Sequence, residues 1–176
     1  VFSSFFLLQG WLPFSLTPFL PLYLGLVLLL VCGVIDDARD MKSWAKLGVQ
    51  LLAALAMVVW GGLHLDYLGH FPALGVVHLG WLAVPFTVVA VTGLINAINM
   101  LDGIDGLAGG SALSVLAWLG FMAAAQSQLT LLAVIVTLAA ALVGFLLFNM
   151  RHPWRSRASV FMGDAGSMSL GFFIAW

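Results

Sequence analysis

The sequence predicts an all-α, polytopic helical membrane protein, with about five complete or nearly complete spans and cut spans at both ends. Three observations carry this. The 176 residues are 63% hydrophobic and 7% charged, against about 25% charged in an average soluble domain. Apolar runs near the roughly 20 residues that a bilayer-crossing helix needs recur along the whole chain. The charged residues collect in every second loop. With a formal net charge of −1, nothing favours a nucleic-acid partner. Cys32 is the single cysteine, so no internal disulfide forms, and its apolar neighbours mark it as a small buried hydrophobe.

The elements follow in order. Residues 1–10 read as the tail of a span, because they have neither a basic n-region nor a small-residue cleavage site. The Pro-rich "LPFSLTPFLP" is a turn. Residues 21–35 form the next span, and "DDARDMKSWAK" interrupts the apolar run. Residues 47–63 form another span, followed by the loop "HLDYLGHFPALGVVHLG". Residues 81–95 lead into "NAINMLDGIDGLAGG", and residues 111–125 leave it. "QSQ" is a tight turn, and residues 129–148 cross back. "NMRHPWRSRASVFMGDAGS" is the last loop, and residues 170–176 begin a final span.

Pairs of spans separate the polar stretches at Asp36, Asn96 and Asn149, which places all three on one side. Arg39, Lys42, Lys46, Arg151, Arg155 and Arg157, the complete set of Lys and Arg, fall in those loops. By the positive-inside rule that side is cytoplasmic. Glu is absent, and every Asp but Asp66 sorts the same way. Asp66, His64, His70 and His78 share an outer loop without tight metal-ligand spacing and read as solvated. The run "RHPWRSR" reads as a topological signal rather than a substrate contact.

The three polar stretches carry the chemistry. In "DDARD", Asp36 and Asp40 share a face if the helix continues, and like charges so close call for a cation or a proton. Lys46 lies about three helical turns beyond Asp36; left to itself it would snorkel to the headgroups. In the second stretch Asn96, Asn99, Asp102 and Asp105 recur every third residue. On a helix the last three fall within about 120° of one another. Their oxygens suit Mg²⁺ or Mn²⁺ better than Zn²⁺. In "FMGDAGS", Asp164 reads as an N-cap or as a ligand on a compact turn, with backbone N–H groups able to face a phosphate. Clustered carboxylates, a cation and nearby basic residues on one membrane face point to phosphorylated substrates, one of them a lipid.

"DDARD", "NAINMLDGIDGLAGG" and "FMGDAGS", in this order between spans, closely resemble the polyprenyl-phosphate N-acetylhexosamine-1-phosphate transferases, glycosyltransferase family 4. Within the family the chain looks most like the bacterial branch that acts on undecaprenyl phosphate and UDP-GlcNAc. The resemblance implies transfer of a sugar 1-phosphate from a UDP-N-acetylhexosamine to undecaprenyl phosphate, with Mg²⁺ and release of UMP. This would be the first membrane step of envelope polysaccharide synthesis in the bacterial inner membrane. It places Asn99 and Asp164 at metal-binding positions, Asp36 and Asp37 at the acidic pair that handles the lipid phosphate, and Lys46 at a phosphate contact. Asp102 and Asp105 match acidic or amide positions around nucleotide and metal. Direct attack and a two-step route through an aspartyl-phosphate both satisfy these residues. Residues 1–176 then read as part of a single integral membrane transferase domain with N- and C-terminal parts missing, inactive alone, set in the lipid bilayer, with a homodimer allowed.

Three rival families fit these residues less well. The phospho-N-acetylmuramoyl-pentapeptide transferase typically has a Lys-containing sequence and a longer loop after its Asp pair, where this chain has Arg39-Asp40 and a short connection to Lys46. A transporter would carry its acids near the bilayer midplane. A CDP-alcohol phosphotransferase needs Ala-Arg after its D-G-x-x, and here Gly106-Leu107 follow.

Overall fold

The computed structural model describes residues 19–73, 75–151 and 157–176. The first expected span and the Pro-rich turn before residue 19 lie outside the described residues, as do His152 and Arg155. Among the described residues six helices carry the fold: α1 (Leu20–Arg39), α2 (Ser43–Gly61), α3 (Ala83–Leu101), α4 (Leu107–Ala125), α5 (Leu129–Asn149) and α6 (Gly163–Ala175). The first five, with α3 extended by the 3₁₀ turn Gly80–Leu82, are long and apolar enough to cross a membrane. The chain is a multi-pass membrane protein. Val59 and Val89, 73% and 68% exposed, belong to the apolar faces that such helices turn to lipid.

The core has two parts joined by α6. Leu29, Ala53, Met57, Ile95, Met168 and Phe172 bring α1, α2, α3 and α6 together. Ile98, Ala112, Leu116, Ile135, Leu142 and Leu170 join the α4–α5 hairpin to α3 and α6. Lipid tails are as apolar as leucine, so membrane helices associate through close packing at small residues rather than through hydrophobic burial. Two positions show this. A Cβ on Gly33 would overlap the backbone of Ala165, and one on Gly171 would lie 2.7 Å from Ile95 Cα. Helix α6 is therefore set almost backbone to backbone against α1 and α3.

The expected spans are present, and the differences lie at their ends. Helix α1 continues to Arg39, so Asp36 and Asp37 sit in its last turn. Asp40 then takes a left-handed conformation (φ 52°), its N–H bonding to the Asp36 carbonyl. The helix stops there, and the expected shared face of Asp36 and Asp40 does not form. Helix α6 begins at Gly163, seven residues before the apolar run, so "GDAGS" is helical rather than a free turn. The connection between α2 and α3, expected as a plain loop, holds an antiparallel hairpin, β1 (Tyr67–Phe71) with β2 (Gly75–His78).

Candidate functional site

The six helices place their polar ends together: the C-termini of α1, α3 and α5 and the N-termini of α2, α4 and α6. Lys46 is the centre of the group. It lies in the first turn of α2, where the helix dipole disfavours a cation. Two carboxylates offset that. Lys46 Nζ is 2.8 Å from Asp36 Oδ2 and 2.9 Å from Asp164 Oδ2. Asp36 is further fixed by the Met41 N–H, 2.6 Å from its other oxygen. The second oxygen of Asp164 accepts from Asn99 Nδ2 at 2.9 Å. Asn99 also donates to Ser167 Oγ, which in turn donates to the Gly163 carbonyl.

The N-terminus of α6 is seated by two other carboxylates. The N–H groups at a helix start have no partner within the helix. Here the Gly163 N–H donates to Asp102 Oδ2 at 3.0 Å, and the Asp164 and Ala165 N–H groups donate to Asp37 at 2.9 and 3.3 Å. Gly163 has φ 68°, and a Cβ there would lie 2.7 Å from Asp37 Oδ2. Asp164 is thus not the N-cap; it is the side chain that this seating aims at Lys46 and Asn99.

Asp105 stands apart from that group. Helix α3 ends at Leu101, so Asn99, Asp102 and Asp105 do not share a helical face as their spacing suggested. Asp105 instead holds Arg151 at 2.7 Å and accepts from the Ala158 N–H. The Arg151 guanidinium lowers its carboxyl below the usual range. Asn149, 3% exposed, ties the same two loops together. Its oxygen accepts from the Gly106 N–H and its nitrogen donates to the Val160 carbonyl. The sequence reading gave Asn149 no role, although an amide closing a 20-residue apolar run was a signal.

Asp102 is 6% exposed. Burial pushes its carboxyl up to about 6, against the Gly163 N–H that favours the charged form, with Asp164 and Asp37 adding repulsion. A raised carboxyl pKa means that the fold tolerates the proton better than the charge. The stability tied to this group is therefore fully present below its ordinary value of 3.8 and is lost as pH rises through about 6. With a chelator present, the protein's thermal midpoint should fall as pH rises from about 4 to about 6. Asp102→Asn should flatten that slope, and an unchanged slope in the variant would remove Asp102 as its source.

The donor chemistry suits a hard divalent ion. Among the described residues no three His, Cys, Asp or Glu side chains form a ready-made cage. Magnesium needs none: it is commonly held by one or two carboxylates with substrate phosphates and water filling the rest. Asp36 and Asp164 already converge on one positive charge, the Lys46 ammonium, and Asn99 stands beside them.

Comparison with known proteins gives the following. The profile of glycosyl transferase family 4 matches residues 19–176. A probable undecaprenyl-phosphate N-acetylglucosaminyl 1-phosphate transferase of Bacillus subtilis is 34% identical over 151 residues, which is 86% of this chain and 40% of the relative. The undecaprenyl-phosphate alpha-N-acetylglucosaminyl 1-phosphate transferase of Pasteurella multocida is 37% identical over 156 residues, 88% of this chain and 44% of the relative. A phospho-N-acetylmuramoyl-pentapeptide-transferase of Lactobacillus helveticus is 33% identical over 150 residues, 80% and 45% of the two chains. The chain spans less than half the length of these relatives.

Proposed function

The chain belongs to glycosyl transferase family 4, and from that premise we propose that the intact protein transfers a sugar 1-phosphate, GlcNAc-1-phosphate first among candidates, from a UDP-sugar to undecaprenyl phosphate. The observation that carries this is the Asp36–Lys46–Asp164 group. It is a cation held between two carboxylates, at one end of a bundle whose outer faces suit a lipid tail.

A lipid phosphate oxygen would attack the β-phosphorus of the UDP-sugar. The bond from that phosphorus to the bridging oxygen breaks, and UMP leaves with the electron pair. Lys46 supplies a fixed positive charge where the phosphoryl group passes. Asp36, at the end of α1 beside Lys46, is the member of the acidic pair placed to receive the lipid phosphate; Asp37 serves mainly to seat α6. Mg²⁺ or Mn²⁺, held by Asp164 with Asn99 beside it, would neutralise the pyrophosphate and the leaving UMP. Asp105, paired with Arg151, would shape the rim on the nucleotide side, and Asp102 would act from beneath by seating α6.

The test is transfer of radiolabel from UDP-GlcNAc to undecaprenyl phosphate by the intact protein. Labelled lipid is the expected result. Transfer only from UDP-N-acetylmuramoyl-pentapeptide would favour the peptidoglycan reaction, and no transfer from either donor would overturn the reading.

The orientation is part of the proposal. Arg39, Lys42, Lys46, Arg151 and Arg157 all lie at the end of the bundle that holds the site, which would face the cytoplasm of a bacterial inner membrane. A cysteine replacing Ser156, which lies outside the described residues, in a Cys32→Ala background should resist an impermeant thiol reagent in intact cells. Ready labelling there would invert the topology.

A further inference from the structure

Directly beneath the charged group lies a second polar layer, carried by three of its four helices, α2, α3 and α6. Gln50 follows Lys46 by one turn on α2, Asn96 precedes Asn99 by three residues on α3, and Met168 follows Asp164 by one turn on α6. Asn96 Nδ2 donates to Gln50 Oε1 at 2.6 Å and to the Thr92 carbonyl at 2.8 Å. Gln50 Nε2 reaches Met168 Sδ at 3.3 Å and Asn96 Oδ1 at 3.5 Å. Gln50 is 3% exposed. Neither amide touches an ion, and the reaction proposed above uses neither.

Carboxamides inside an apolar bundle are costly unless paired, and leucine would fill such a position more cheaply. What the pair supplies is directionality. Apolar side chains tolerate sliding of one helix past another, whereas a 2.6 Å hydrogen bond does not survive a shift of one residue rise, about 1.5 Å. Lys46, Asn99 and Asp164 meet only when α2, α3 and α6 stand at one relative height. All three side chains sit within a turn of this polar layer.

We infer that Gln50 and Asn96 are positioning residues: their amide pair fixes the height of α2 against α3, with Gln50 reaching α6 at Met168, and so sets the spacing of Lys46, Asn99 and Asp164. The inference rests on the transfer reaction proposed above. It distinguishes registry from stability, because replacing both partners of a buried polar pair by apolar groups can leave stability nearly unchanged.

The experiment compares the intact wild type with Gln50→Leu/Asn96→Leu, the exchange variant Gln50→Asn/Asn96→Gln, and the single Gln50→Asn. Each is assayed for kcat and KM and for thermal midpoint. Each is also prepared with spin labels at Val59→Cys on α2 and Val89→Cys on α3, in a Cys32→Ala background. The double-leucine variant should keep its thermal midpoint and lose at least about tenfold in kcat, with KM for UDP-GlcNAc within about twofold. Its label distance should broaden or shift. The exchange variant should recover kcat over Gln50→Asn. A folded double-leucine protein with wild-type kcat and label distance would overturn the inference. Should that variant not fold, the exchange decides: recovery over Gln50→Asn supports the pin, and no recovery overturns it. A wild type that transfers nothing would instead sink the transfer reading, and the pin would then stand or fall on the label distance.

Discussion

Asp164→Asn in the intact protein should lower sugar-1-phosphate transfer by at least about 100-fold, the scale expected when a group that stabilises charge in the transition state is removed. Asp164 is where the architecture converges. Its N–H is held by Asp37, one oxygen accepts from Asn99, and the other holds Lys46. Asparagine keeps the size and one oxygen but loses the charge that offsets Lys46 and would bind a divalent ion. The seating of α6 uses backbone N–H groups and survives the change. The thermal midpoint should therefore move little, while binding of Mn²⁺, followed by its electron resonance signal, weakens together with transfer. Normal transfer at limiting magnesium would take Asp164 out of the site.

Most of the fold was legible because its signals are long. Five apolar runs of 15 to 20 residues mark the five helices long enough to cross a membrane, and the clustering of basic residues marks which ends share a side. The start of α6 was not legible, since it is decided by contacts distant in sequence. Helix α6 starts at Gly163 because Asp37 and Asp102, from two other elements, occupy its free N–H groups. A window of local hydropathy cannot register that. The same limit misplaced Asp105. A three-residue repeat reads as one helical face only while the helix lasts, and α3 ends at Leu101. It also hid the division within the Asp pair. Asp36 and Asp37 are equivalent in sequence, yet one turns to Lys46 and the other to the backbone of α6. Gln50 was invisible because a single amide in an apolar run gives no sign of its partner 46 residues away.

Lys46→Met tests the centre of the site from the other direction. Asp36 and Asp164 share one ammonium, and the three side chains are 8%, 23% and 25% exposed. Removing it leaves two carboxylates together with no countercharge. Breaking a fully buried pair costs about 3–5 kcal/mol; solvent reaches this group, which reduces the expected loss to about 1–3 kcal/mol. At about 2–4 °C per kcal/mol for a domain of this size, the thermal midpoint should drop by roughly 2–12 °C with a chelator present. Magnesium should then restore more of the midpoint in the variant than it adds to the wild type. The ion binds the folded state, and the place between the carboxylates is free of a competing charge. Transfer should nevertheless stay at least about 100-fold down, because the charge meeting the transferred phosphoryl group has gone. Thermal scans with chelator and with magnesium, beside the radiolabel assay, separate these effects. A variant that keeps its midpoint and its transfer rate would show that Lys46 is a headgroup anchor and not part of the site.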